Sequence, residues 1–165
     1  LVGSEMCIRD RFRDTRLVTF LRRPTDQPPV RFYERLEPAV FVLRLVPGMR
    51  ADIIPLLAPH YRALVLESFG VGGLPGGEHG EMFAALRRWC ESGRLAVFTT
   101  QVPHEGCDLA VYEVGRAVGE LPGVLEARDM TSEAVAVKLM WALGQTEDRE
   151  KAARLFETPI EYDIM

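Results

Sequence analysis

From residue 39 onward, apolar and polar positions change period in a way that predicts strands and helices in turn. Ala39 to Val46 is a β-branched, mostly apolar run closed by Pro47-Gly48, and it predicts a buried strand. A short helix-like stretch follows from Ala51 to Leu57, interrupted by Pro55 and stopped by Pro59. Ala63 to Leu66 predicts a second strand, leading into a glycine-rich loop over 67–77. Met82, Ala85, Leu86 and Trp89 recur at i, i+3, i+4 and i+7, the spacing of one helical face, and Gly93 stands where a C-terminal glycine belongs. Leu95 to Phe98 predicts a third strand and Thr99 to Gly106 a polar loop. A helix is expected from about Asp108, with Val111, Val114, Gly115 and Val118 inward, and Val124-Leu125 reads as a very short fourth strand.

Thr131 is a good N-cap for a helix over Ser132 to Leu143, and Glu133 in its first turn suits the helix dipole. Lys138 is the single charge after Glu133 in that helix, so the helix should be central to a core, with the lysine laid along its surface and its ammonium reaching water. A last amphipathic segment spans Asp148 to Phe156. Strands alternating with helices predict an α/β domain: a small, mainly parallel sheet flanked by helices in a three-layer arrangement, over residues 36–165.

Residues 1–35 lack a sustained apolar face. They carry eight arginines against five acids, whereas the rest of the chain is net acidic. The segment is expected to be irregular, because Asp10, Asp14 and Asp26 break up the arginine ladder and prolines run from Pro24 to Pro29.

Composition narrows the function. At 165 residues, 47% hydrophobic and 27% charged, the chain suits one ordinary globular core. A net charge of −4 gives no electrostatic footprint for nucleic acid, and no apolar run approaches the roughly 20 residues a membrane span needs. Cys7, Cys90 and Cys107 are odd in number and lack C-x-x-C spacing, and the three histidines are scattered. No metal site is expected, and a reducing, cytoplasmic setting is the default.

In a parallel sheet, ligands meet the loops beyond the carboxyl ends of the strands, which points to 67–77 and 99–107. The first loop fails the dinucleotide fingerprint, since Pro75 stands where a third glycine is needed. It also fails the phosphate-loop pattern, since Glu78-His79 replaces Lys-Ser/Thr, so no cofactor is expected. The second loop gathers hydroxyls, an amide, an imidazole and a carboxylate in nine residues, a mix able to hold an amino acid with Glu105 facing its ammonium. A merely solvated loop is the competing reading. A thiol nucleophile built on His104 and Cys107 would lack a third orienting group, and Ser68 lacks the G-x-S-x-G elbow.

Several longer strings carry a resemblance: Phe69-Gly70-Val71-Gly72-Gly73-Leu74-Pro75, Thr99-Thr100-Gln101, Glu105-Gly106-Cys107-Asp108-Leu109, Tyr112-Glu113-Val114-Gly115, Asp129-Met130-Thr131-Ser132-Glu133-Ala134 and Lys138 through Gln145. In this order, from about Leu36 to Phe156, they resemble the C-terminal domain of cytoplasmic, type I bacterial L-asparaginases. The resemblance implies a part in hydrolysing L-asparagine to L-aspartate and ammonia, through a threonine nucleophile held in a larger N-terminal domain. Nothing upstream of Leu36 matches that catalytic set, so no catalytic residue carries over and the fragment alone is expected to be inactive. The resemblance places pocket contacts on Gly72, Gly73, Thr100, Gln101 and Glu105, with no cofactor or metal, and implies a homodimer or dimer of dimers. Some relatives that bind asparagine as an allosteric effector carry arginine where Glu67 stands, so weak or no effector binding is expected. Residues 1–11 resemble translated sequencing adaptor and are expected to be non-native, with 12–35 a remnant of an interdomain linker. A free-standing ligand-binding or interaction domain, and the matching domain of a tRNA-dependent amidotransferase subunit, are the alternative readings.

Overall fold

The computed structural model describes residues 10–13, 16–19, 29, 31–76, 80–102, 105–160 and 163–164. It divides into two units, Leu1–Glu34 and Arg35–Met165. In the first, strands β1 (Asp10–Arg13) and β2 (Arg16–Thr19) pair antiparallel as a ribbon, with Arg11 opposite Val18 and Phe12 opposite Leu17. An irregular segment was the expectation for this stretch. Backbone pairing between neighbouring segments needs no apolar face, which is why the hydrophobic pattern does not announce it.

The second unit is built on four parallel strands in the order β3 (Val40–Arg44), β4 (Ala63–Ser68), β5 (Leu95–Thr100), β6 (Val124–Glu126). The crossovers carry helices α1 (Ile53–Leu57), α2 (Glu81–Glu91) and α3 (Glu113–Gly119). All three helices pack on one sheet face, so the strand order advances in a single direction. The other face is covered by α4 (Ser132–Gln145) and α5 (Arg149–Glu157). Successive strand residues feed opposite layers. Leu64, Leu66, Ala96 and Phe98 join the α1–α3 core, while Ala63, Val65, Leu95 and Val97 join the α4–α5 core. Both faces being covered explains why the strands read as continuous apolar runs rather than alternating ones. The three-layer α/β architecture is the one expected from the sequence.

Local chemistry sets the element ends. Thr131 caps α4, its Oγ1 accepting from the Ala134 amide at 3.3 Å, and Asp148 caps α5 by accepting from the Lys151 amide at 3.0 Å. Gly93 turns the chain out of α2 at φ +88°, and the Trp89 indole N–H donates to the Leu95 carbonyl at 2.9 Å, tying α2 to β5. Helix α3 starts five residues later than the pattern suggests. Asp108 Oδ1 accepts from the Ala110 amide and Glu126 Oε1 from the Leu109 amide, which holds 108–112 in turns. Val111, expected on the inner stripe, is therefore exposed, while Gly115 and Val118 are buried.

Two further differences bear on function. Strands β4 and β5 run on through Ser68 and Thr100, so Glu67, Ser68, Thr99 and Thr100 belong to the sheet rather than to loops. Lys138 does not reach water. Its side chain is 4% exposed and its Nζ lies 2.7 Å from Asp163 Oδ2 and 5.7 Å from the centroid of the Phe156 ring.

Candidate functional site

The registers of β3, β4 and β5 align Arg44 with Glu67 and Glu67 with Thr99. In each strand these residues share parity with the positions facing α4 and α5 (Val40, Val65 and Val97), so they form a row on that face at the carboxyl ends of the strands. The turn after β6 adds Asp129 and Met130, and the beginning of α4 adds Thr131 and Ser132. Together with Thr100, Gln101, Val102 and Glu105 they line a cavity of about 220 Å³. The site lies beyond the carboxyl edge of a parallel sheet, where such sheets meet ligands.

Its electrostatics are mixed. Arg44 and the positively polarised N-terminus of α4 face one way, while Glu67, Glu105 and Asp129 supply carboxylates. Arg44 Nη1 approaches Glu67 Oε2 at 3.9 Å, with 65% and 17% of the respective side chains exposed, so the pair only partly offsets the acidic balance. Such a lining can meet both ends of a zwitterion, and it favours the ammonium end.

The expected site residues fall into two groups. Thr100, Gln101 and Glu105 line the cavity. Gln101 Nε2 donates to both the Leu45 and Glu67 carbonyls, each at 2.7 Å, so its amide nitrogen closes the ends of β3 and β4 and only its Oε1 is left for a ligand. Thr100 Oγ1 donates to the Gly70 carbonyl and accepts from the Val102 amide at 3.0 Å, fixing the turn out of β5. Gly72 and Gly73 sit in a tight turn, where the Gly73 amide donates to the Phe69 carbonyl at 2.8 Å. They back onto the protein instead of lining the cavity: a Cβ on Gly72 would come 2.9 Å from Leu109 Cδ2, and one on Gly73 3.2 Å from Phe69 Cβ. Gly77, Glu78, His79 and His104 lie outside the described residues.

Arg44 and the 129–132 turn were not expected in the site, and Thr99, within the expected 99–107 loop, belongs to the end of β5. The turn had a readable signal, because it follows the fourth strand and the carboxyl-end rule covers it as well. Arg44 is the single charge in an apolar strand. Cys107 is not a nucleophile here. It is 4% exposed, and burial, then the nearby Glu126 and Asp108 carboxylates, push its thiol up to about 12. Ser68 is fully buried and donates to the Thr99 carbonyl at 2.8 Å, a structural bond. Among the described residues no group of three or more His, Cys, Asp or Glu side chains could hold a metal ion.

A larger cleft of about 350 Å³ opens at the other end of the sheet, lined in part by Arg62, Arg94 and Arg149. Arg94 donates to the Ala58 and Tyr61 carbonyls, Arg149 to the Cys90 carbonyl, and Arg62 pairs with Glu37 and Glu147. These guanidinium groups satisfy helix-end carbonyls and carboxylates, so the cleft is held by structural contacts.

Residues 39–156 match the family model described as the glutaminase/asparaginase C-terminal domain. An L-asparaginase of Thermococcus kodakarensis is 38% identical over 133 residues, covering 81% of this chain and 40% of that protein. A glutamyl-tRNA(Gln) amidotransferase subunit of Metallosphaera sedula is 35% identical over 125 residues, covering 75% of this chain and 27% of the relative. The solved structure of the thermostable L-asparaginase from Thermococcus kodakarensis superposes with a TM-score of 0.80 at 32% identity, over 94% of this chain and 47% of that one. The chain thus spans less than half the length of each of these relatives. The likeness is wider than the type I bacterial enzymes, since it takes in archaeal asparaginases and amidotransferase subunits.

Proposed function

Since the chain belongs to the glutaminase/asparaginase C-terminal domain family, we propose that it is the C-terminal portion of an L-asparaginase of the cytoplasmic type I kind. In this reading the longer protein hydrolyses L-asparagine to L-aspartate and ammonia, and the nucleophile and its activating groups lie outside these residues. The observation that carries it is the cavity between Arg44, Glu67, Glu105 and the start of α4, whose charges suit an amino acid, in a chain that aligns with an asparaginase over 81% of its length. The cavity's task is to bind and to close the subunit.

Glu67, with 17% of its side chain exposed, favours the ligand's ammonium and opposes its carboxylate. The chain should therefore bind L-asparagine weakly, and Glu67→Gln should tighten binding by about tenfold. Isothermal titration of both proteins tests this. Micromolar binding by the unsubstituted chain, or an unchanged affinity in Glu67→Gln, would count against the cavity as described.

A homodimer or dimer of dimers belongs to the same reading. Leu36, Val42 and Val46 are exposed, 60%, 42% and 46%, and are candidates for cover by a further domain or subunit. The chain alone should self-associate, and light scattering showing a monodisperse monomer would contradict this. Cytoplasmic residence is supported by Cys90 and Cys107, both buried as free thiols. A second reading, the equivalent domain of an amidotransferase subunit that serves tRNA-linked amidation, is favoured by the 35% identity to such a subunit. A partner amidotransferase subunit that co-purifies with the longer protein would decide for it.

A further inference from the structure

A buried ammonium needs an anion, and in this fold the anion comes from the far end of the chain. Lys138 stands on α4, two turns beyond the Thr131 cap, among Val135, Leu139 and Ala142, with its side chain 4% exposed. Asp163 Oδ2 lies 2.7 Å from its Nζ as an ion pair, and among the described residues no acceptor makes a hydrogen bond to that nitrogen. Asp163 is itself braced: its Oδ1 accepts from the Ile160 amide at 2.7 Å, and its own amide donates to the Ile160 carbonyl at 3.2 Å. The next residue, Ile164, is 8% exposed and packs into the α4–α5 core. A carboxylate and an isoleucine at adjacent positions thus fasten the chain end to the helix from two sides, one by charge and one by packing.

The same helix supplies a wall of the cavity, through Thr131 and Ser132. We infer that Asp163 and Ile164 act as a strap that holds α4 in register against the sheet, and that the Lys138–Asp163 pair couples the chain end to the shape of the cavity at the helix's other end. Neutralising Asp163 alone would leave an ammonium in an apolar layer without its counter-charge, and the cheapest relief is for α4 to loosen and let Lys138 reach water. Removing both charges leaves no buried ion to solvate and so removes the reason to move.

The coupling to the cavity rests on the ligand-site reading, whereas the strap itself does not, and hydrogen exchange separates the two. In Asp163→Asn, amide exchange over residues 135–143 should accelerate by at least about tenfold, with residues 82–90 of α2 changed less than about threefold. In the double variant Lys138→Met/Asp163→Asn, exchange over 135–143 should return to within about threefold of the original chain. L-asparagine affinity should fall in the single variant and recover in the double. Unchanged exchange in α4, or an equal rise in α2 and α4, would overturn the strap. So would a double variant as loose as the single one. If Asp163→Asn does not fold, a folded double variant supports the pair and an unfolded one overturns it. Loosened α4 with unchanged affinity would overturn the coupling to the cavity while leaving the strap in place.

Discussion

Gln101→Ala is expected to lower the stability of the Arg35–Met165 unit by about 2–3 kcal/mol and to abolish ligand binding at the sheet's carboxyl edge. The side chain lies across the ends of two strands, and its Nε2 donates to the carbonyls of Leu45 and Glu67 at 2.7 Å each. Alanine leaves both carbonyls without that donor in a half-buried setting, at about 1 kcal/mol or more apiece. Because Glu67 carries one of the two carbonyls and lines the cavity, loosening it also disturbs the Arg44–Glu67–Thr99 row. Urea denaturation gives the first quantity and titration with L-asparagine the second. A loss under about 0.5 kcal/mol would mean that water replaces the amide, and the clamp would then be dispensable.

Gly115→Ala should be about as damaging, for a steric reason. A Cβ at position 115 would lie 2.5 Å from the Leu109 carbonyl oxygen, closer than any real side chain tolerates, and the opposing atom is backbone. Alanine's better helix propensity offsets about 1 kcal/mol, so the expected net loss is about 2 kcal/mol, or several degrees in thermal midpoint. Gly119 on the same helix is the internal control. A Cβ there meets nothing nearer than 3.8 Å, so Gly119→Ala should be neutral or slightly stabilising. Equal effects at the two positions would contradict the packing described for α3.

The contrast between these residues shows what the chain discloses before it is folded. Strand and helix periods are short-range, so Val40–Arg44, Ala63–Ser68, Leu95–Thr100 and the Thr131-capped helix could be read off the pattern to within a few residues. The carboxyl-end rule for parallel sheets pointed to the loops over 67–77 and 99–107, and the family resemblance, not the rule, singled out Thr100, Gln101 and Glu105 within the second, which line the cavity. In the glycine-rich loop, where the resemblance places contacts at Gly72 and Gly73, a Cβ would crowd Leu109 and Phe69, so close packing is a use of glycine there. Composition cannot distinguish those two uses. Arg44 joins the cavity only through strand register, and Lys138 finds Asp163 across 25 residues of chain. Neither pairing leaves a local signature, because each depends on how distant segments are brought together. The delayed start of α3 belongs with them, since Glu126, on a different strand, captures the Leu109 amide.

If, as proposed, these residues bind and close the subunit of an asparagine amidohydrolase whose catalytic groups lie in a longer protein, ammonia release from L-asparagine is the most direct measurement, made side by side for the 165-residue chain and for a longer reading frame that contains it. The account predicts no release above the uncatalysed rate by the chain alone and sustained turnover by the longer protein. Turnover by the isolated chain, or its absence from a folded longer protein, would contradict it.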